Sequence, residues 1–268
     1  MKRLSLNCDR PLRSGMVSTI EVLFSPAEYA ARRECGWKNT TCVVFDVLRA
    51  TSVMVTGLAH GAAGFIPVAE ISEALALQAQ RPDALLAGER EGLRIGASLT
   101  GGVEFALGNS PREYTPARVT GKTIITTTTN GTRAMRACAA ADSVLVACFL
   151  NLQATADWVT RHPSEQLSLI AAGTREETAL EDVLAAGALC DAIKLALPGY
   201  ELRDSAEIAR RTFREAAGDL PGAIGCATNA RRLSAHPALS ADVENCLRRD
   251  AHPVVAGLER DGVVRKWS

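Results

Sequence analysis

Short, almost wholly apolar runs alternate along this chain with alanine-rich segments of helical spacing, and that alternation restricts the fold more than any other feature. The runs TCVVFDV, GFIPV, ALLAG, KTIITTT, SVLVA and LSLIAAG have the length and β-branched content of strands. Segments such as ISEALALQAQ and ALEDVLAAGALCDAIKLAL repeat apolar residues at helical spacing. Strands that are apolar throughout need cover on both faces, so the class is α/β, with a mostly parallel sheet or sheets covered by helices.

The first strand is read at STIEVLF, from Ser18. Residues 1–15 are polar and unpatterned and are expected to be a loose extension, with Met16 an alternative start and 16–268 one α/β unit. After Pro198 the rhythm becomes helical and charged, as in RDSAEIARRTFREAAGD, and PVVAGLERDGVVRKW reads as two β-prone runs around Asp261-Gly262, a hairpin signal. Thirty basic residues balance thirty acidic ones, so no basic stripe argues for nucleic acid. No apolar run approaches the length of a membrane span. The eight cysteines form no C-x-x-C pair, and those in TCVVFDV and LVACFL read as small buried hydrophobes, which favours a reducing, cytoplasmic setting. A small soluble partner is expected, and a homo-oligomer is left open.

In α/β sheets, ligands collect beyond the carboxyl ends of the strands. The first such end, FDVLRATS, brings Asp46, Arg49, Thr51 and Ser52 to the start of a helix. A carboxylate there suits a hard cation, and guanidinium, hydroxyls and N–H groups suit an anion; the plain alternative is that Asp46 or Ser52 caps the helix. LLAGEREG supplies Glu89, and GNSPREY supplies Asn109 and Ser110, with Pro111 opening a helix that Ser110 would cap. KTIITTTTNGT places Thr128, Thr129, Asn130, Gly131 and Thr132 at a strand-to-helix turn, a hydroxyl-rich phosphate cradle in which Thr132 would cap the helix. Glu181 and Asp182 open a long helix, where the dipole favours negative charge and where they are candidate metal ligands or a general base.

Three rival readings fail on their own residues. Dehalogenase-type phosphatases need a second acid two positions after the nucleophile, where this chain has Leu48. Cys226 and Arg232 have the spacing of a cysteine-dependent phosphatase, but Leu233 replaces the expected hydroxyl and no strand precedes them. His60, His162, His236 and His252 include no pair with zinc-ligand spacing.

In their order and separations, FDVLRATS, GER, GNSP, TTTTNGT and LEDVLAAGA resemble the 2-phosphosulfolactate phosphatase (ComB-like) family, strongly from Ser18 to Leu197 and weakly beyond. The resemblance implies a two-lobed α/β/α architecture with the site in the inter-lobe cleft. It implies Mg²⁺-dependent removal of phosphate from (2R)-2-phospho-3-sulfolactate, a step of coenzyme M biosynthesis. The matching positions are Asp46, Arg49, Glu89, Asn109, Ser110, Asn130, Thr132, Glu181 and Asp182. On chemical grounds Asp46 with Glu89 or Asp182 would hold Mg²⁺, and Arg49, Thr129, Asn130 and the N–H groups near Thr132 would hold phosphoryl oxygens. Glu181 would activate water, or Asp46 would itself be the nucleophile. Arg90, Arg94, Arg112 and Arg133 are nearby cations. Thr174-Arg175-Glu176-Glu177 departs from the Asn- and Gly-rich loop expected there. Two alternatives stay open: a phosphatase of another phosphorylated hydroxy acid, and a non-catalytic anion-binding module.

Overall fold

The computed structural model describes residues 18–267, so the expected extension at 1–15 and the start at Met16 lie outside the described residues. The described residues form eleven strands: β1 (Thr19–Leu23), β2 (Thr40–Phe45), β3 (Gly64–Pro67), β4 (Leu85–Arg90), β5 (Leu93–Arg94), β6 (Thr123–Thr127), β7 (Ser143–Ala147), β8 (Gln166–Ala171), β9 (Glu201–Leu202), β10 (Val255–Leu258) and β11 (Val264–Trp267). The helices are α1 (Pro26–Glu34), α2 (Ala50–Ala59), α3 (Ile71–Gln80), α4 (Ala97–Thr100), α5 (Pro116–Val119), α6 (Gly131–Cys138), α7 (Leu152–Arg161), α8 (Leu180–Ala196), α9 (Asp204–Ala216), α10 (Leu220–Gly225), α11 (Thr228–Ser234) and α12 (Ser240–Leu247). Every strand and helix read from the runs above is present.

One sheet holds all the strands, in the order β5-β4-β6-β3-β11-β10-β7-β2-β8-β1-β9. It consists of two parallel blocks, β4-β6-β3 on one side and β7-β2-β8-β1-β9 on the other. The β10–β11 hairpin joins them, pairing antiparallel with β7 and with β3. The hairpin expected from the sequence is therefore the seam of the whole sheet.

An antiparallel seam reverses strand direction between the blocks, which in a flat sheet would send their carboxyl ends to opposite edges. Sheets twist by roughly 20–25° per neighbouring pair, and the five steps from β2 to β6 accumulate on the order of 100°. Twist thus turns the two sets of ends toward each other, and contacts between them confirm it. Arg49 of the β2 end donates to the Gly92 carbonyl, and the Arg175 N–H after β8 donates to Asn130 Oδ1 after β6.

The wide-block strands are buried along nearly their full length, as runs apolar on both faces require. Helix α2 is equally apolar all round and is buried from Ala50 to Leu58. Cys42 and Cys148 are free and buried in their apolar runs, whereas Cys35 is disulfide-bonded. No helix of the described residues is long and apolar enough to cross a membrane.

Helix α8 carries two of the candidate acids on its first turn and is anchored by close packing on α9. A Cβ at Gly187 would stand 2.1 Å from the Ala209 carbonyl oxygen, which is backbone and cannot swing aside. Gly187→Ala is expected to push the helices apart and lower unfolding free energy by about 1–3 kcal/mol, read from urea denaturation.

Candidate active site

The β2 end shows how the chain builds the site. The Asp46 carbonyl accepts the Thr51 N–H at 2.9 Å, and its carboxylate Oδ1 accepts the Ala50 N–H at 3.0 Å, so Asp46 closes the first turn of α2. Thr51 completes the loop by accepting the Asp46 N–H on its Oγ1 at 3.1 Å. Capping uses one carboxylate oxygen and leaves the other facing the opposite block. A Cβ at Gly131 would stand 2.8 Å from Asp46 Oδ2 and 2.8 Å from the Ala50 Cβ, so glycine is what lets the α6 N-terminus approach this carboxylate.

Around Asp46 lie three further buried acids. Asp182 accepts the Val47 N–H at 2.8 Å on one oxygen and the Gly173 N–H at 3.1 Å on the other, tying the β2 and β8 ends to α8. Glu89 accepts the Thr129 N–H and hydroxyl at 3.1 and 2.9 Å, and the Gly92 N–H at 2.7 Å. Glu181 accepts from Asn229 Nδ2 at 2.7 Å, and the same Nδ2 reaches the Thr174 hydroxyl.

Burial and mutual repulsion show in the proton affinities. Desolvation raises Asp46 from 3.8 to about 6, with Glu89 and Glu181 adding to it and the Ala50 and Gly131 N–H groups opposing. Asp182 is pushed well above the usual carboxylate range by burial and then by Glu181 and Asp46. Glu181 is raised by burial, against the Asn229 hydrogen bond. Among the described residues no three His, Cys, Asp or Glu side chains converge to hold a metal ion between them.

The hydroxyls of the anticipated cradle divide into two sets. Thr132 does not cap α6: its Oγ1 donates to the Thr128 carbonyl at 2.8 Å. Ser52 likewise turns inward, donating to the Val47 carbonyl at 2.8 Å. Both sit within a helical turn, where a free backbone carbonyl is the nearest acceptor. Asn130 spends its Oδ1 on the Arg175 N–H. Thr128, by contrast, is 4% exposed and its hydroxyl has no partner among the described residues. Among the described hydrogen bonds none uses the N–H of Thr132 or Arg133 in the first turn of α6.

Arg49 and Ser110 belong to a neighbouring network. Arg49, 3% exposed, donates from Nη1 to Asp242 Oδ2 at 2.7 Å and from Nη2 to the Gly92 carbonyl at 2.6 Å. Asp242 Oδ1 also accepts from Ser110 Oγ at 2.7 Å and Arg112 Nε at 2.8 Å. Ser110 therefore binds Asp242 instead of capping the helix it precedes, which is a single 3-10 turn, Pro111–Glu113. Asn109 is buried beside it, with no side-chain hydrogen bond among the described residues.

Such a constellation, buried acids opposite a helix N-terminus and an unpaired hydroxyl, suits binding and cleavage of a phosphate ester. Comparison with known proteins supports it. The family model for 2-phosphosulpholactate phosphatase matches residues 28–261. The chain belongs to that family. It is 36% identical to the probable 2-phosphosulfolactate phosphatase of Caldanaerobacter subterraneus subsp. tengcongensis, over 85% of this chain and 91% of that protein. The probable 2-phosphosulfolactate phosphatase of Pseudothermotoga lettingae is 34% identical over 92% of this chain and 99% of its own length, and that of Deinococcus radiodurans 40% over 75% and 80%. Membership in the 2-phosphosulpholactate phosphatase family makes the protein a phosphoric monoester hydrolase.

Sequence reading passed over Asp242, Asn229 and Tyr29, each of which touches this phosphatase site or its wall. Only Asn229 carried a signal, since it lies in the segment set aside as a mismatched cysteine-phosphatase loop.

Two outcomes follow from these contacts. Asp242→Ala leaves the Arg49 guanidinium buried and unpaired, and stability is expected to fall by about 3–5 kcal/mol in chemical denaturation. Because Asp46 binds its proton more tightly folded than unfolded, the parent in EDTA loses stability as pH rises from about 4 through about 6. Asp46→Asn removes that loss, so its stability relative to the parent should improve by on the order of 2–3 kcal/mol between pH 4 and 7.5, as read by urea unfolding at each pH.

Proposed function

We propose that this protein is a Mg²⁺-dependent phosphatase that hydrolyses the phosphate ester of (2R)-2-phospho-3-sulfolactate to sulfolactate and phosphate, in a coenzyme M type pathway. The observation that carries the reading is the meeting of Asp46 Oδ2 with the N-terminus of α6, because it sets carboxylate chemistry against phosphate-binding chemistry at one point. The names of the relatives supply the substrate.

The donor set fits a hard divalent cation. The acids offer only oxygen ligands, and burial raises the proton affinities of Asp46, Glu181 and Asp182, with neighbouring carboxylates adding to it at Asp46 and Asp182. Mg²⁺ takes one or two carboxylates and completes its shell with water and substrate oxygens, so three converging acids are not needed. Asp46 is the ligand of choice, with Glu89 or Asp182 as the second; both of these also hold backbone N–H groups. When bound, the ion would neutralise charge on the phosphoryl group.

The remaining chemistry belongs to side chains and backbone. The free N–H groups of Thr132 and Arg133, in the first turn of α6, orient the phosphoryl oxygens and stabilise charge that grows during transfer. Glu181, whose proton affinity burial raises, accepts the proton of an attacking water and can return it to the departing alkoxide oxygen. One P–O bond forms to water, the ester P–O bond breaks, and the products are phosphate and the alcohol.

Phosphate release from racemic 2-phosphosulfolactate and a panel of phosphorylated hydroxy acids, with Mg²⁺ and with excess EDTA, tests this. Metal-dependent release greatest on phosphosulfolactate is expected. Greater release from another hydroxy acid would keep the chemistry and discard the pathway, and no release from folded protein would favour an anion-binding module.

A further inference from the structure

Three buried side-chain hydroxyl groups among the described residues have no hydrogen-bond partner: Tyr29, Thr56 and Thr128. Two of them, Tyr29 and Thr128, line the same cleft, a cavity of about 700 Å³ between α1 and the N-terminal turn of α6, whereas Thr56 lies within the buried helix α2. Tyr29 is 1% exposed and Thr128 4%, so neither hydroxyl can exchange its missing partner freely with bulk water. A buried donor left without an acceptor carries its full desolvation cost, and a ligand that brings the acceptor recovers it.

The surroundings specify what that acceptor is. Arg33, Arg133 and Arg136 also line the cleft, beside Glu34 and Glu70. The Arg133 guanidinium stands 6.0 Å from the Tyr29 ring centre and is gripped by Glu176 at 2.6 and 2.9 Å. Arg136 pairs with Glu73 at 3.0 Å, and Arg33 has no ion pair among the described residues. Burial pushes the Tyr29 phenol up to about 12, against the pull of Arg133, so it is a proton donor at any working pH. Two neutral donors in a cleft that also holds three guanidinium groups, one of them without an ion pair among the described residues, fit an oxyanion.

Position decides which oxyanion. Asp46, Glu89, Glu181 and Asp182 do not line this cleft, although Thr129 and Thr132 of the cradle do. A substrate whose phosphoryl group reacts at the carboxylates therefore places a different part of itself between Tyr29 and Thr128. Resting on the phosphatase reading above, we propose that Tyr29 and Thr128 bind the non-reacting acidic group of the substrate, a sulfonate or carboxylate, and that Tyr29 thereby sets substrate specificity.

Tyr29→Phe keeps the ring and removes the donor. With 2-phosphosulfolactate its KM should rise roughly tenfold or more while kcat changes little, as expected for a lost hydrogen bond to a charged group. The ratio of kcat/KM for 2-phosphosulfolactate over isopropyl phosphate, which lacks both acidic groups, should fall by a similar factor. Phospholactate identifies the group: a penalty retained on it assigns the carboxylate, and a penalty absent from it assigns the sulfonate. Thr128→Val should move the same ratio in the same direction, and Thr56→Val, which removes the orphan hydroxyl outside the cleft, should not. An unchanged ratio in Tyr29→Phe, or an equal shift in Thr56→Val, overturns the proposal. If the parent hydrolyses none of the three esters, the functional reading falls and the subsite is still decided by calorimetry with 3-sulfolactate. Binding weakened by Tyr29→Phe then supports the subsite, and equal binding overturns it.

Discussion

Four carboxylates buried in one junction are the constraint on which the rest of the molecule turns. Placing Asp46, Glu89, Glu181 and Asp182 out of water within reach of one another's fields would by itself oppose folding, since each buried ion costs several kcal/mol before compensation. Compensation comes from the backbone: Ala50, Val47, Gly173, Gly92 and Thr129 each present an N–H to one of these acids. The donors lie at the ends of β2, β8, β4 and β6, so satisfying the charges and fixing the strand ends are one requirement. Side-chain amides finish the task where backbone does not reach, as Asn229 does for Glu181.

The same requirement explains the unusual seam. A single parallel sheet with one switch point would offer one line of carboxyl ends. Inserting an antiparallel hairpin between two parallel blocks reverses one of them, and twist then swings its ends around to meet the other. One block contributes the α6 turn and Glu89; the other contributes Asp46, Glu181 and Asp182. Arg49 and Asp242 lock the arrangement from behind, joining the β2 end to the Gly92 turn, to Ser110 and to α12 through a buried ion pair. A pair so enclosed is costly to break, and it holds elements drawn from residues 49 to 242 in register.

Much of this was legible in the sequence because its physics is local. Strands buried on both faces must be apolar throughout, so β2, β7 and β8 announce themselves, and the Asp261-Gly262 turn marks the hairpin. What the sequence could not display was the seam, because nothing in VVAGL or VVRKW says which strands they will pair with. The site divides along the same line. Acids at strand ends were visible as types, but the allocation of their oxygens was not. Asp46 and Asp182 turn out to be caps and braces as well as candidate chemistry, so the capping reading and the functional reading of Asp46 describe two oxygens of one residue. Ser52 and Thr132, hydroxyls in the right words of the sequence, satisfy carbonyls one turn back because a helix offers them there. Asp242 and Tyr29 stayed hidden for the opposite reason: the Arg49 partner of Asp242 lies 193 residues away, and Tyr29 meets Thr128 and Arg133 only where separate elements line one cleft.

The cleft beside the acids shows why neutral donors can matter more than charges in such a site. Its arginines are exposed or half-exposed and largely engaged by Glu73 and Glu176, so they attract anions in general and discriminate little among them. A phosphatase releases an anion identical in kind to the one it binds, and an unscreened cluster of guanidinium groups would hold product as firmly as substrate. Buried hydroxyls behave differently: they are satisfied only by a ligand whose acceptor stands in the right place and remain unsatisfied with any other. That difference supplies selectivity without a strong general affinity for anions, since the site is penalised whenever the wrong ester leaves its donors unpaired.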